Sequence, residues 1–440
     1  MSVMSSVSHE KLRSQSKIEE NSHTEVEFTV RKNDILLHCS KFGMFHDPKS
    51  DEISIVKQFK WINKNNVEVH AITYGAAITK IIVPDKNGQM EDIVMGFDTL
   101  QAYQSANNPN IGCTIGRVVN RIAHGELQID GETFQLEKNS NGHHLHSGAA
   151  GFDKKNWIAT NDGTHVFMSL VSNDGDGGYP GDVLCTILLY LDNENEFHIE
   201  MQGLTSKETP LNMTNHSYFN LGGHASGHES LYNHVITINA DKITVNDCDG
   251  IPTGKFMSVG GSVYDFRVPR HLRKALARVP GNGFDNNFCI TKGSDQNLTF
   301  MARAFHPMSG RYLEIYSDQP GLQFYTSNSM PNPDQKIHPG AISEGDSSQY
   351  AYKTENVTHL EPISLDMTHT EHEIHCEYES DSNVDPIIGK GGASYMKHGA
   401  FCFEPQKYPD AVHHRNFPSI MIKPGETYSH NILFKFGVNK

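Results

Sequence analysis

The chain has 440 residues and a formal net charge of −15, from 37 Lys and Arg against 52 Asp and Glu. That balance argues against nucleic acid and anionic membrane surfaces as partners. No run approaches the roughly 20 apolar residues of a membrane-spanning helix, and 37 glycines, clustered with Asn and Asp between short apolar runs, punctuate the chain as an all-β sequence.

Residues 1–26 are polar and Ser-rich, without the apolar stretch of a secretory signal, and are expected to be a disordered extension. From about Phe28 onward strand-like segments follow one another. Ala71 to Pro84 is an apolar run closed by Asp85-Lys86-Asn87-Gly88. Leu127-Gln128-Ile129 and Phe134-Gln135-Leu136 flank Asp130-Gly131, a pair that a primed hairpin turn favours. Val183 to Leu191 is almost continuously apolar, which predicts a strand buried on both faces. In the next run Phe197, Ile199 and Met201 alternate with Glu196, His198 and Glu200, the pattern of a half-buried strand.

Thr214 to Leu221 reads as a further strand, with Thr214, His216 and Tyr218 on one face. Phe401-Cys402-Phe403-Glu404 reads as a short apolar strand that delivers a carboxylate and stops at Pro405. Ile420 to Ile422 and Ile432 to Phe434 close the chain as a final pair, and no amphipathic helix exceeds a few turns. The expected fold class is all-β, a large single-domain antiparallel β-sandwich over residues 27–440.

Pro331 to His398 breaks the rhythm, carrying −8 of the −15 net charge in twelve acidic residues and four lysines. It predicts a flexible, solvated insertion. Its His369, His372 and His375, with Glu371, Glu373 and Cys376, lack the i, i+4 histidine pair of a zinc helix and read as solvated. Seven cysteines (Cys39, Cys113, Cys185, Cys248, Cys289, Cys376, Cys402) without C-x-x-C spacing read as reduced thiols of a cytoplasmic protein.

Two residues stand out chemically. His216 on a strand face is either a core histidine bonded to a carbonyl or a proton donor in a pocket. Glu404, at the end of a buried strand, is costly unless its charge is used or paired. Their surroundings decide between these readings. Gly116-Arg117-Val118-Val119-Asn120-Arg121-Ile122, then Leu145-His146-Ser147-Gly148 with Gly151-Phe152-Asp153-Lys154, then Thr214 to Leu221, resemble segments of the aldose 1-epimerases (galactose mutarotases), in the family's order. So do Ile251-Pro252-Thr253-Gly254, Gly283 to Phe288, Pro320 to Tyr325 and Phe403-Glu404-Pro405-Gln406.

The resemblance implies a galactose-mutarotase-like supersandwich that interconverts the α and β anomers of hexoses such as D-galactose and D-glucose. It implies His216 as the general acid toward the pyranose ring oxygen and Glu404 as the general base toward the anomeric hydroxyl. A His near about 6.5 and a Glu near about 4.3 would suit those roles with modest tuning. It implies His146 as a second histidine, with His144 as the alternative in register. Asn120, Arg121, Asp285 and Gln323 are implied sugar contacts, and Tyr179 an aromatic wall for the sugar. The expected protein uses no metal and no cofactor, has a small sugar as its partner and is a monomer. Two other readings stay open: a phosphosugar 1-epimerase, which needs a basic phosphate pocket, and a catalytically silent sugar-binding protein, which would lack His216 or Glu404.

Overall fold

Residues 27–293, 298–332 and 386–439 are described by a computed structural model. Six strands (Phe28–Lys32, Ile35–His46, Ile53–Ile62, Glu68–Ile72, Ala77–Pro84, Met90–Asp92) pair in sequence order as one antiparallel sheet. A nine-stranded antiparallel sheet follows, in which the last strand of the chain, Tyr428–Val438, is inserted between Glu196–Thr205 and Arg311–Ser317. A second six-stranded sheet runs in the order Tyr218–Phe219, Phe401–Gln406, Gly321–Tyr325, Asp285–Ile290, Ala240–Asn246, Pro252–Ser258. The α-helices of the described residues are the short segments Leu100–Tyr103, Gly227–Tyr232 and Leu272–Leu276. None is long and apolar enough to cross a membrane.

One apolar cluster joins the inner faces of all three sheets. Leu37 and Trp61 come from the first, Ile187, Phe197 and Phe434 from the second, and Phe288, Phe324 and Phe403 from the third. Burial of such side chains is worth about 1.5–3 kcal/mol each. The all-β expectation is met, and so is the hairpin. Ile129 pairs with Glu132 across Asp130 and Gly131, whose φ values of 50° and 85° are those of a primed turn.

Several local expectations are corrected. Val183–Leu191 is buried on one face only: Leu184 is 45 % exposed and lies between Val171 and Leu204, both also exposed. These apolar residues sit on the outer face of the nine-stranded sheet, so composition alone overstated burial. Thr214 to Leu221 is two short strands, Thr214–Asn215 and Tyr218–Phe219, which pair with different partners. At the break, the backbone of His216 bonds to Cys113 O and Gly112 N. The strand Phe401–Gln406 does not stop at Pro405. Pro405 pairs with Leu322 on one side, and its carbonyl accepts the Thr214 hydroxyl (2.8 Å). A side chain thus takes the place of a strand that would need the missing N–H.

Residues 386–398 belong to the fold. Ile387–Ile388 pairs with Ser394–Tyr395, and the buried Lys390 donates to Asp92 (2.6 Å), Thr79 O (2.7 Å) and Val94 O (2.8 Å). The insertion is therefore shorter at its C-terminal end than the charge pattern suggests. The His369–Cys376 cluster and residues 1–26 lie outside the described residues. Cys39, Cys113, Cys185, Cys289 and Cys402 are buried free thiols, as expected, whereas Cys248 is disulfide-bonded.

The chain on either side of residues 333–385 is already joined, because Lys397 N–H donates to Pro331 O (2.7 Å). Deleting residues 340–383 shortens the chain between ends that this contact already holds together, which lowers the entropy cost of closing it, although it also removes Cys376. The shortened protein is expected to remain soluble and to keep its near-UV circular dichroism. Aggregation on expression would show that the segment is structural.

Candidate functional site

The third sheet builds the site through its register. Directly opposed residues of antiparallel strands point to the same face. Asn287, Gln323 and Glu404 stand opposite one another in one row across three strands, and Asp285, Tyr325 and Cys402 form the next row. The alternate positions, Phe288, Phe324 and Phe403, enter the core. One face is thus polar and the other apolar, by the period of two.

The break in the 214–221 segment brings His216 over this polar face. Its ring stacks on Tyr218 at 4.9 Å between centroids, and its Nε2 lies 3.6 Å from Glu404 Oε2. Both side chains are almost wholly buried, at 5 % and 2 % exposure. Glu404 Oε2 and Gln323 Oε1 have no hydrogen-bond partner among the described residues. The amide of Gln323 donates to Asp285 Oδ1 (2.6 Å), and Arg121 Nη1 approaches Asp285 Oδ2 at 3.9 Å. Arg121, Asp285 and Gln323 therefore form a continuous polar rim next to the buried pair.

His146 and Asn120 are locked to each other. Asn120 N–H donates to His146 Nδ1 (3.2 Å), and His146 N–H donates to Asn120 O (3.1 Å). Both residues have positive φ, 65° at Asn120 and 52° at His146. Because Nδ1 accepts, the proton of the neutral ring sits on Nε2. The His146 ring lies 5.5 Å from that of His216. His144 faces elsewhere: its Nδ1 donates to Glu137 O (2.6 Å) and its buried ring packs edge-on against Tyr179. Of the two histidines, His146 is the one beside His216.

Tyr179 does not line this site. It is 1 % exposed and packs in a satellite core, beneath Arg117 at 5.5 Å and against His144. Arg117, inside the first quoted motif, is itself structural. Its buried guanidinium donates to Pro180 O (2.9 Å), Thr209 Oγ1 (3.3 Å), Ser172 O (3.2 Å), Ser172 Oγ (2.8 Å) and Asn173 O (3.2 Å). Arg117→Met leaves those acceptors stranded and is expected to cost about 3 kcal/mol, read as a lowered urea midpoint. An unchanged midpoint would show that water replaces the guanidinium without penalty.

Two floor residues escaped the sequence reading. Asn287 and Gln406 are 1 % and 0 % exposed, and neither amide has a hydrogen-bond partner among the described residues. Gly321 makes room for the first, since a Cβ there would meet Asn287 Oδ1 at 2.5 Å. The period of two already placed both on the site's face, two residues beyond Asp285 and Glu404 respectively.

Burial controls the electrostatics. It pushes the His216 imidazole down to about 4, and it raises the Glu404 carboxyl well above the usual range, with the nearby Asp285 charge adding to the rise. His146 is also held well below its ordinary value, by burial first and then by His216 and Arg121. The expectation of modest tuning is therefore corrected: desolvation carries the two groups past each other, and between the lowered His216 and the raised Glu404 the pair holds a single proton. The arrangement suits moving that proton between two neighbouring oxygens of a bound molecule.

The aldose 1-epimerase family model matches residues 57–435. Galactose mutarotase of Bos taurus is 38 % identical over 383 residues, covering 87 % of this chain and 94 % of that protein. Galactose mutarotase of Homo sapiens is 37 % identical over the same shares. Aldose 1-epimerase of Escherichia coli is 30 % identical, covering 68 % of this chain and 87 % of that one. Among solved structures, the GalM/aldose epimerase homologue from C. elegans aligns with a TM-score of 0.68 at 25 % identity, covering 86 % of this chain and 97 % of that chain. On the family model and these relatives, which span most of its length, the chain belongs to the aldose 1-epimerase family.

Proposed function

We propose that this protein is an aldose 1-epimerase, a mutarotase that interconverts the α and β anomers of hexoses such as D-galactose and D-glucose. The observation that carries this reading is the buried pair of His216 Nε2 and Glu404 Oε2, 3.6 Å apart. The two oxygens that exchange protons in mutarotation, the ring oxygen and the anomeric hydroxyl, are bonded to the same carbon. A general acid and a general base serving them must converge closely, as these do.

In the reaction Glu404 takes the anomeric hydroxyl proton while His216 gives one to the ring oxygen. The C1–ring-oxygen bond breaks and the free aldehyde forms. Rotation about C1–C2 presents the other carbonyl face, and the pair in reversed roles closes the ring. His146, with its proton on Nε2, donates toward the ring oxygen. Asp285 accepts from sugar hydroxyls, and Arg121, Asn120 and Gln323 hold the remaining hydroxyls. Arg121 is the cation on the rim, while Lys154 nearby is tied to Asp153 (2.6 Å). That disfavours a phosphosugar substrate. The presence of both His216 and Glu404 disfavours a silent binder. Five buried free thiols support a cytoplasmic setting, against the disulfide at Cys248.

Polarimetry tests the reading. Freshly dissolved α-D-galactose or α-D-glucose is expected to reach its equilibrium rotation faster with the purified protein. Binding of either sugar without acceleration would replace the enzyme with a sugar-binding protein.

A further inference from the structure

Cys402 stands in the row next to Glu404 on the same strand and the same face, and has no part in the proton transfers above. It is 0 % exposed. One ligand atom each from His216, Cys402 and Glu404 lie within 4.8 Å of one another. The facing Glu404 Oε2 is buried without a hydrogen-bond partner among the described residues. A thiolate, an imidazole and a carboxylate make a borderline-soft set of three with a fourth position open, the donor number and type that zinc takes when one site is left for an exogenous ligand. The geometry points to an inhibitory zinc site built into the catalytic pair, in which Cys402, His216 and Glu404 hold the ion and the sugar is shut out.

The charge balance favours occupancy. Zinc takes Cys402 as thiolate, Glu404 as carboxylate and His216 as neutral imidazole. Zinc displaces the thiol proton and the pair's proton, so two protons leave as a doubly charged ion enters. The ion's charge is cancelled by thiolate and carboxylate, and no net charge is added to the buried site. Two donors each about 2.1 Å from a tetrahedral zinc stand about 3.4 Å apart, close to the 3.6 Å between His216 Nε2 and Glu404 Oε2. Both groups would then be metal ligands and unable to exchange protons, so the ion blocks the chemistry as well as the space.

A second cluster, Asp192, Glu196 and His198, also brings its ligand atoms within 4.8 Å. It lacks a thiolate and is only partly buried, His198 being stacked on Tyr190 at 4.2 Å. It serves as the internal control.

This inference rests on the same site as the proposed activity, so the first test does not use activity. Cobalt(II) is titrated into the full-length protein and the thiolate-to-metal charge-transfer band is followed. A one-to-one band is expected, absent in Cys402→Ser and in Cys402→Ala and retained in His198→Gln. D-galactose is expected to shift the titration to higher cobalt. In the second test zinc is expected to inhibit mutarotation competitively with sugar and to be reversed by chelator. In Cys402→Ser basal activity is retained while zinc sensitivity falls by roughly 100-fold. If Cys402→Ser fails to fold, Cys402→Ala carries the comparison. Absence of the band, with mutarotation intact, would overturn the zinc site alone. So would zinc inhibition that survives in both Cys402 variants or vanishes in His198→Gln. A band without mutarotase activity would keep the metal site and overturn the enzymatic reading instead.

Discussion

Glu404→Gln is expected to lower kcat for anomer interconversion by about 10²–10⁴-fold, the contribution of a positioned proton-transfer group. kcat/KM should fall by the same factor, because a general base acts only as the transition state forms. The fold should be spared for a physical reason particular to this site. Burial already favours the neutral carboxyl, so the amide replaces a neutral group of the same shape. Neither oxygen position is committed to a structural ion pair, the approach of His216 at 3.6 Å being too long for a hydrogen bond. A loss below about 1.5 kcal/mol in stability is expected. Near-full activity in this variant would remove Glu404 from the mechanism. His216→Asn should lose activity to a similar degree but also stability, since it gives up the stacked contact with Tyr218 at 4.9 Å.

The second large effect is the pH window. The pair works while it holds one proton, whichever partner carries it at rest, because the two singly protonated forms differ only in proton position. As pH falls through about 4, the lowered His216 is protonated while Glu404 remains a neutral acid, so the base is lost. As pH rises through the raised value of Glu404, the last proton leaves and the acid is lost. The profile of kcat/KM is therefore expected to have its acid limb near about 4 rather than near the roughly 6.5 of an ordinary histidine, and its basic limb where the raised Glu404 carboxyl ionises. An acid limb at about 6.5 would mean that His216 titrates as though solvated. Near-UV circular dichroism over the same range separates loss of the pair from loss of the fold.

Zinc bears on the same pair from a different side. If Cys402, His216 and Glu404 close on an ion, inhibition is competitive with sugar although no substrate contact is mutated. The two protons that leave on binding connect that inhibition to the protonation state that sets the pH window.

The alternation of Phe197, Ile199 and Met201 and the Asp130–Gly131 turn were legible in the sequence because they are local. A strand's faces follow from a period of two, and a primed turn follows from two residues that tolerate positive φ. The motifs around Asn120, His146, His216, Asp285, Gln323 and Glu404 were legible as well, because residue order along a chain does not depend on where the chain goes. Everything that joins distant parts of the chain needed the tertiary structure. Asn287, Gln323 and Glu404 share a row although more than a hundred residues separate the first from the last, and no local pattern states a register of that kind. Tyr179, which the resemblance implies as an aromatic wall for the sugar, packs instead beneath Arg117 and beside His144. The crossing of the His216 and Glu404 titrations could not be read from residue types, because desolvation belongs to the surroundings and not to the group. The sequence by itself singled out His216 and Glu404 as the candidate acid and base. Only the packed sheet decided that they meet within 3.6 Å, out of water.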